Sequence, residues 1–278
     1  MAAGRAVRAP HLKGTRMIAS LRARDITLGY GETPVISDLS LEVPDNSFTI
    51  IIGPNACGKS TLLRGFARLL RPRTGAVLLD GDELRSLKPK DAARKLGLLP
   101  QSSLAPDGIT VADLVGRGRF PHQSAMRTWS AADERAVSEA MAATGVTDLS
   151  RRLVDELSGG QRQRVWVAMA LAQQTPHLLL DEPTTFLDIA HQIDLMELFA
   201  DLHRSGTTLV AVLHDLNHAA RYATHLVAMR DGAIVAQGDP REIITAHLVE
   251  AVYDLPCTVI TDPVSGTPLV LPLGRRTQ

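Results

Sequence analysis

Gly53-Pro54-Asn55-Ala56-Cys57-Gly58-Lys59-Ser60 constrains this chain more than any other stretch, because it reads G-x-x-x-x-G-K-[ST] between a strand-forming run and a helical pattern. Phe48, Ile50, Ile51 and Ile52 before it form a short apolar run rich in β-branched residues, which predicts a strand buried on both faces. Leu62, Leu63, Phe66, Leu69 and Leu70 behind it recur at helical spacing, so the predicted helix starts where the loop ends. Successive backbone N–H groups at a helix N-terminus give a polyphosphate donors with no side chain in the way, and the helix dipole favours its charge. Lys59 would add a cation for the β and γ phosphates, and the Ser60 hydroxyl would serve Mg²⁺, which accepts few protein ligands and keeps several waters. The four fixed positions match by chance in about one chain of this length in a hundred, given Gly at about 7% of residues. The flanking strand and helix lower that further.

The 278 residues suffice for one large core or two modest ones. Lys plus Arg and Asp plus Glu both total 30, so the formal charge is zero and no general surface for nucleic acid is implied. No run approaches the 18 or so apolar residues of a membrane span, and the N-terminus lacks the apolar core of a secretory signal, so a cytosolic chain is expected. Cys57 and Cys257 give neither a disulfide framework nor metal-ligand spacing. Cys57, beside a helix N-terminus, is expected to favour its thiolate, and its alkylation to block activity.

Residues 1–18 read as a basic tail, with Arg5, Arg8, Lys13 and Arg16 and no acid. From Leu21, alternation through Ile26 and Leu28, then Val35, Leu39, Leu41 and Val43, predicts two antiparallel strands around a Gly29-Tyr30-Gly31 loop. Tyr30 on that loop is either a packing residue or a flat surface for a nucleotide base. Thr74-Gly75 is read as the end of the helix that follows the phosphate loop, with a strand over 76–79, a helix over 89–95 and a strand over 96–99 after it. Alternating strand and helix predicts a parallel sheet with crossover helices. From about 102 to 157 the strand pattern fades and a helical insert is expected, with Ser130 and Asp133 as a capping box and Gly108, Gly116, Gly118 and Pro121 breaking its first half into loops and one short helix. Strands return at Leu178–Glu182, Thr207–Leu213 and Leu226–Met229, the last joined by Asp231-Gly232 to a hairpin partner. Beyond Pro240 the pattern gives a short helix and a Pro-rich β-like extension over 241–278 with Gly266 in a turn, and no recognisable chemistry.

Two further stretches carry chemistry. An apolar strand ending in Asp181-Glu182 sets two carboxylates at the carboxyl edge of a parallel sheet, where ligands of such sheets bind. Asp181 would hold Mg²⁺ directly or through water, and Glu182 could polarise the water that attacks the γ-phosphate. Leu157-Ser158-Gly159-Gly160-Gln161 before a helical run is a second small-residue loop at a helix N-terminus, hence a second place for phosphate oxygens. His214 and His218 stand at i and i+4, but Asp215 occupies the place where a zinc hydrolase needs Glu, which argues against a metal there.

Ser158-Gly159-Gly160-Gln161, about 20 residues before the strand carrying Asp181-Glu182, resembles the signature loop of ATP-binding cassette (ABC) ATPases, and the resemblance covers residues 19–240. It implies a P-loop NTPase of α/β class, with a mainly parallel core sheet, an N-terminal antiparallel β part and a helical subdomain. It also implies roles: Gly53 to Thr61 around ATP, Tyr30 stacking on the base, and Gln101 touching metal and attacking water. His214 would contact the γ-phosphate, and Asp188 would lie on a loop that crosses between subunits. The implied mechanism has two copies head to tail, each ATP held between one copy's Lys59 loop and the other's Ser158 to Gln161 loop. Ala56 stands where the family usually has Gly, at a cost of about 1 kcal/mol if the position needs positive φ.

One cassette without a heptad run is similar to transporter subunits rather than to soluble members acting on DNA or ribosomes. Ile109 to Val115, Arg119 to His122, Thr184 to Asp188 and Leu213 to Asn217 resemble the ATPases of iron-siderophore importers, with cobalamin and haem importers as close relatives. This implies a subunit at the cytoplasmic face of the cell membrane, bound to integral permease subunits and linked through them to a substrate-binding protein.

Overall fold

The computed structural model describes residues 21–101, 105–123 and 129–274; the basic tail and the start of the insert expected at 102 lie outside the described residues. Alternating burial produces β1 (Leu21–Tyr30) and β2 (Thr33–Val43), an antiparallel pair as the sequence predicts. Tyr30 differs from expectation: it ends β1, paired with Thr33, and the turn is Gly31-Glu32. β3 (Phe48–Ile52) is buried along its whole length and leads through the Gly53 to Gly58 loop into α1 (Lys59–Phe66). That helix stops earlier than Leu69 and Leu70 predict. Arg68 turns left-handed (φ 63°), and the amides of Leu69 and Leu70 both donate to the Arg64 carbonyl at 2.9 and 3.0 Å, closing the last turn. Thr74-Gly75 therefore opens β4 (Thr74–Leu79) instead of ending a helix.

β5 (Asp82–Glu83), α2 (Pro89–Lys95) and β6 (Leu96–Leu99) precede the helical insert. There α3 (Val111–Gly116) runs into a 3-10 turn, Arg117–His122, and α4 (Ala131–Ala143) follows. The predicted capping box at Ser130 and Asp133 is formed. Gly116 and Gly118 sit inside helical turns and do not break them, and any Cβ on Gly118 would run into the Met169 carbonyl of α5 (Gly159–Ala172). Close approach, not chain reversal, selects glycine there. Arg119 on the same turn is buried, donating Nε to Asp133 Oδ1 at 2.9 Å and Nη1 to the Ala172 carbonyl at 2.7 Å. The Ser130 hydrogen bonds and this guanidinium hold the Asp133 carboxyl at a pKa of about 2. The ion pair braces the insert internally, and the Arg119 bond to the Ala172 carbonyl fastens it to the far end of α5.

β7 (His177–Asp181), α6 (Ile189–Arg204), β8 (Thr208–Val212), α7 (Leu216–Tyr222), β9 (His225–Arg230) and β10 (Ala233–Gly238) complete the cassette. The main sheet has the order β10-β9-β3-β8-β7-β6, parallel except for β10, and a second sheet has the order β2-β1-β4-β5. β3 lies inside the main sheet with its side chains divided between two cores: Phe48, Ile50 and Ile52 face the helical insert, α5 and α6, while Ile51 faces α1 and the antiparallel sheet. Each such side chain contributes about 1.5–3 kcal/mol by burial, so the strand before the loop is firmly anchored on both faces. Asp231 (φ 50°) and Gly232 (φ 78°) make the predicted tight turn between β9 and β10.

Past Pro240 the chain forms two short helices where one was expected: α8 (Pro240–Ile243) and α9 (Ala246–Tyr253), the second capped by Thr245. β11 (Cys257–Thr261) and β12 (Pro268–Pro272) then form a hairpin that docks on α7 through reciprocal bonds between the Asn217 amide and the Val270 backbone. Gly266 (φ 69°) lies in the turn between them, as predicted.

Candidate functional site

The phosphate-loop residues sit at the carboxyl end of β3, where the helix N-terminus of α1 has no side-chain cap and no acid in its first turn. Its first N–H groups are left as donors at a positive dipole end. Gly53 (φ 152°) cannot carry a side chain, since a Cβ would meet the Met229 carbonyl and the Cys57 sulfur. Gly58 is left-handed (φ 104°), and so is Ala56 (φ 63°), which turns its conditional cost of about 1 kcal/mol into an actual one. Lys59 is buried and donates to the Gly53 and Pro54 carbonyls at 2.8 Å each, so its ammonium lies inside the curl of the loop. Thr61 is buried beside it in the first turn. Pro54 and Asn55 form the outer rim, partly to fully exposed.

Cys57 departs from expectation. Its side chain is buried, and burial raises the thiol pKa more than the nearby Lys59 lowers it, so the thiolate is disfavoured. Its role is backbone and packing: its carbonyl accepts from the Gly232 amide at 3.0 Å, tying the loop to the β9–β10 turn.

Three strand ends meet beside the loop. β7 delivers Asp181, which accepts from Ser60 Oγ at 2.8 Å and is almost fully buried, so that desolvation raises its pKa. Glu182 follows in a left-handed conformation (φ 52°), its amide donating to the Val212 carbonyl at 3.2 Å. Backbone strain of this kind, at about 1–2 kcal/mol, concentrates at functional sites. Its carboxylate is held from both sides: Gln101 Nε2, beyond β6, donates to Oε2 at 2.7 Å, and His214 Nε2, beyond β8, lies 2.6 Å from Oε1. Gln101, Glu182 and His214, 113 residues apart from first to last by their numbers, are thus one bonded chain. His218 is not part of it. It meets the Tyr222 ring edge-on, so the two histidines do not converge, and no cluster of three or more His, Cys, Asp or Glu suited to a metal ion occurs among the described residues.

Tyr30 is half exposed and accepts from Arg64 Nη1 at 3.0 Å, which fixes its ring at the edge of α1. Ser158 and Gln161 form a complete capping box at the start of α5, with Gly159 and Gly160 laid against Phe186 and Leu187. Among the described residues no hydrogen bond joins this loop to residues 53–61. Asp188 caps α6, accepting from the His191 amide and ring at 2.9 and 2.7 Å, and these bonds lower its pKa. Phe186 and Ile189 around it are about three-quarters exposed. The sequence reading missed Arg64, which positions Tyr30, and Gln163, whose buried amide donates to the Pro183 carbonyl at 2.9 Å and supports the turn after Glu182. No local pattern marks either, since both partners are distant in sequence.

The donor set fits a magnesium-bound triphosphate. A Cβ-free cradle, a buried ammonium with only carbonyl partners and a desolvated carboxylate bonded to a hydroxyl call for a polyanion next to a hard divalent cation. Fold and site together define a P-loop nucleotide-binding cassette. Residues 36–185 match the ABC transporter family, and the chain belongs to it. It is 58% identical to the ferric enterobactin transport ATP-binding protein of Escherichia coli K12 over 94% of this chain and 97% of that one. A cobalamin import ATP-binding protein of Halobacterium salinarum is 42% identical over 88% of this chain and 61% of its own length. Among solved structures, a dimeric bacterial ABC transporter cassette superposes with a TM-score of 0.71 at 27% identity, over 79% of this chain and 98% of that one.

Proposed function

We propose that this chain hydrolyses MgATP to drive import of a ferric siderophore through a separate membrane permease, working as a head-to-tail pair at the cytoplasmic face. The bonded chain Gln101–Glu182–His214 next to the Ser60–Asp181 pair carries this reading, because it holds one carboxylate ready beside a phosphate cradle. Lys59 and the amides from Gly53 to Thr61 bind the triphosphate, and Tyr30 offers its ring to the base. Ser60 and Asp181, with Gln101 near them, would hold Mg²⁺. When bound, that ion neutralises charge on the phosphate oxygens. Glu182 orients the attacking water and takes its proton, while His214 fixes the carboxylate and faces the γ-phosphate. Ser158 to Gln161 and Asp188 act on the ATP of the other copy. The siderophore cargo is favoured over cobalamin by the higher identity to the enterobactin relative over nearly its whole length. No helix among the described residues is long and apolar enough to cross a membrane, in keeping with a separate permease.

Glu182→Gln keeps the size and shape of the side chain but cannot take a proton. It is expected to bind ATP normally, to lose hydrolysis by about 100-fold or more, and to accumulate as a dimer on size exclusion with ATP. Wild-type turnover in this variant would remove Glu182 from its role. Copurification with a detergent-solubilised permease tests the transport assignment, and association with ribosomes or DNA instead would overturn it.

A further inference from the structure

The C-terminal extension, which contributes nothing to the family signature, places one polar atom behind the phosphate loop. Tyr253 ends α9, and its hydroxyl is buried with no hydrogen-bond partner among the described residues. The groups bearing on the phenol are the Gly53 amide and the Cys57 thiol, and burial pushes its pKa far above the usual range. The Gly53 amide is within electrostatic reach but not in hydrogen-bonding geometry. The end of α9 is not loosely laid there. Arg230, at the end of β9, donates to the Ala251 carbonyl at 2.6 Å and to both Asp254 carboxylate oxygens at 3.0 and 2.8 Å. Met229, one residue earlier, offers the carbonyl that excludes any side chain from Gly53. α9, the end of β9 and the entrance to the loop are therefore one knot.

A buried hydroxyl without a partner is costly, and native structures keep very few. The orphan lies beside the Gly53 amide, at the entrance to the phosphate loop. We propose that Tyr253 is a positioning residue for the phosphate loop: its hydroxyl takes the Gly53 amide as partner when the loop closes on nucleotide, so the C-terminal helix adds to ATP affinity. This rests on the MgATP reading above.

The test uses full-length Tyr253→Phe, with wild type and Lys59→Ala alongside, in thermal melts with and without MgATP, calorimetric titration of MgATP into the Glu182→Gln background, and steady-state hydrolysis. The nucleotide-free melting temperature is expected to stay level or rise, since the orphan hydroxyl is gone. Affinity falls about fivefold, as loss of one hydrogen bond made only in the bound state requires, and KM rises while kcat holds. A purely structural role would lower the nucleotide-free melting temperature or change nothing. Affinity within twofold of wild type, or a lowered nucleotide-free melting temperature, would overturn the proposal. A wild-type protein that takes up no nucleotide would instead overturn the MgATP reading itself.

Discussion

Two glycine-containing loops of this chain stand at helix N-termini, ahead of α1 and α5, yet their surroundings differ. The Gly53 to Gly58 loop meets its partners within the chain: Ser60 reaches Asp181, and Glu182 beside it is braced by Gln101 and His214. Among the described residues, the Ser158 to Gln161 loop satisfies itself through its capping box and lies against the exposed Phe186. One chain thus carries a nearly complete binding half and a second half with nothing of its own to bind. The head-to-tail pair proposed above would complete such an arrangement by symmetry, each copy supplying what the other lacks.

The sharpest way to break this comparison is complementation. Lys59→Ala and Ser158→Arg, each alone, should lose hydrolysis by about 100-fold or more, for one removes the phosphate cation and the other fills the opposing loop. Mixed in equal amounts they should regain roughly a quarter of wild-type turnover, because half the pairs then carry one intact composite site. No recovery in the mixture would place both loops of one chain on the same nucleotide. A second variant separates the halves by stability. Asp133→Asn leaves Arg119 buried without its counter-charge, which is expected to cost about 3–5 kcal/mol in urea unfolding. Nucleotide affinity in the cold should persist, since the cradle is built on β3 and α1, whereas turnover should fall as Arg119, which grips the end of α5, loses its brace. The pH dependence follows from the depressed carboxyl of Asp133: its contribution is whole above its unfolded value near 3.8 and is lost as pH drops through about 2. The smallest effect concerns Cys57. Modification by a thiol reagent at pH 7 should run at least about tenfold slower than for an exposed cysteine and accelerate with alkalinity. Rapid labelling at neutral pH would mean that the loop opens far more than its packing suggests.

Much of this was legible in the chain because the informative signals were local. A β-branched run, a fixed-spacing loop and a helical repeat specified β3, the cradle and α1, and Ser130 with Asp133 announced α4 in four residues. What was not legible depended on distant contacts. The early end of α1 is decided by the left-handed Arg68, whose guanidinium reaches the Arg85 and Leu87 carbonyls. The Cys57 thiol was misread because proximity to a helix start is visible in sequence and burial under the β9–β10 turn is not. Likewise, Gln101 and His214 could be singled out only by resemblance, since their common partner Glu182 lies 81 and 32 positions away by number.

The bolt at Arg119 has a mechanical meaning. α5 is a rod of 14 residues, about 20 Å long, with the Ser158 loop at one end and the Ala172 carbonyl, gripped by Arg119, at the other. Phe120, next to Arg119, projects into solvent with Lys90 over its ring. The exposed aromatic tip and the Ser158 loop are therefore joined through a single helix, gripped at its far end by the residue next to that tip.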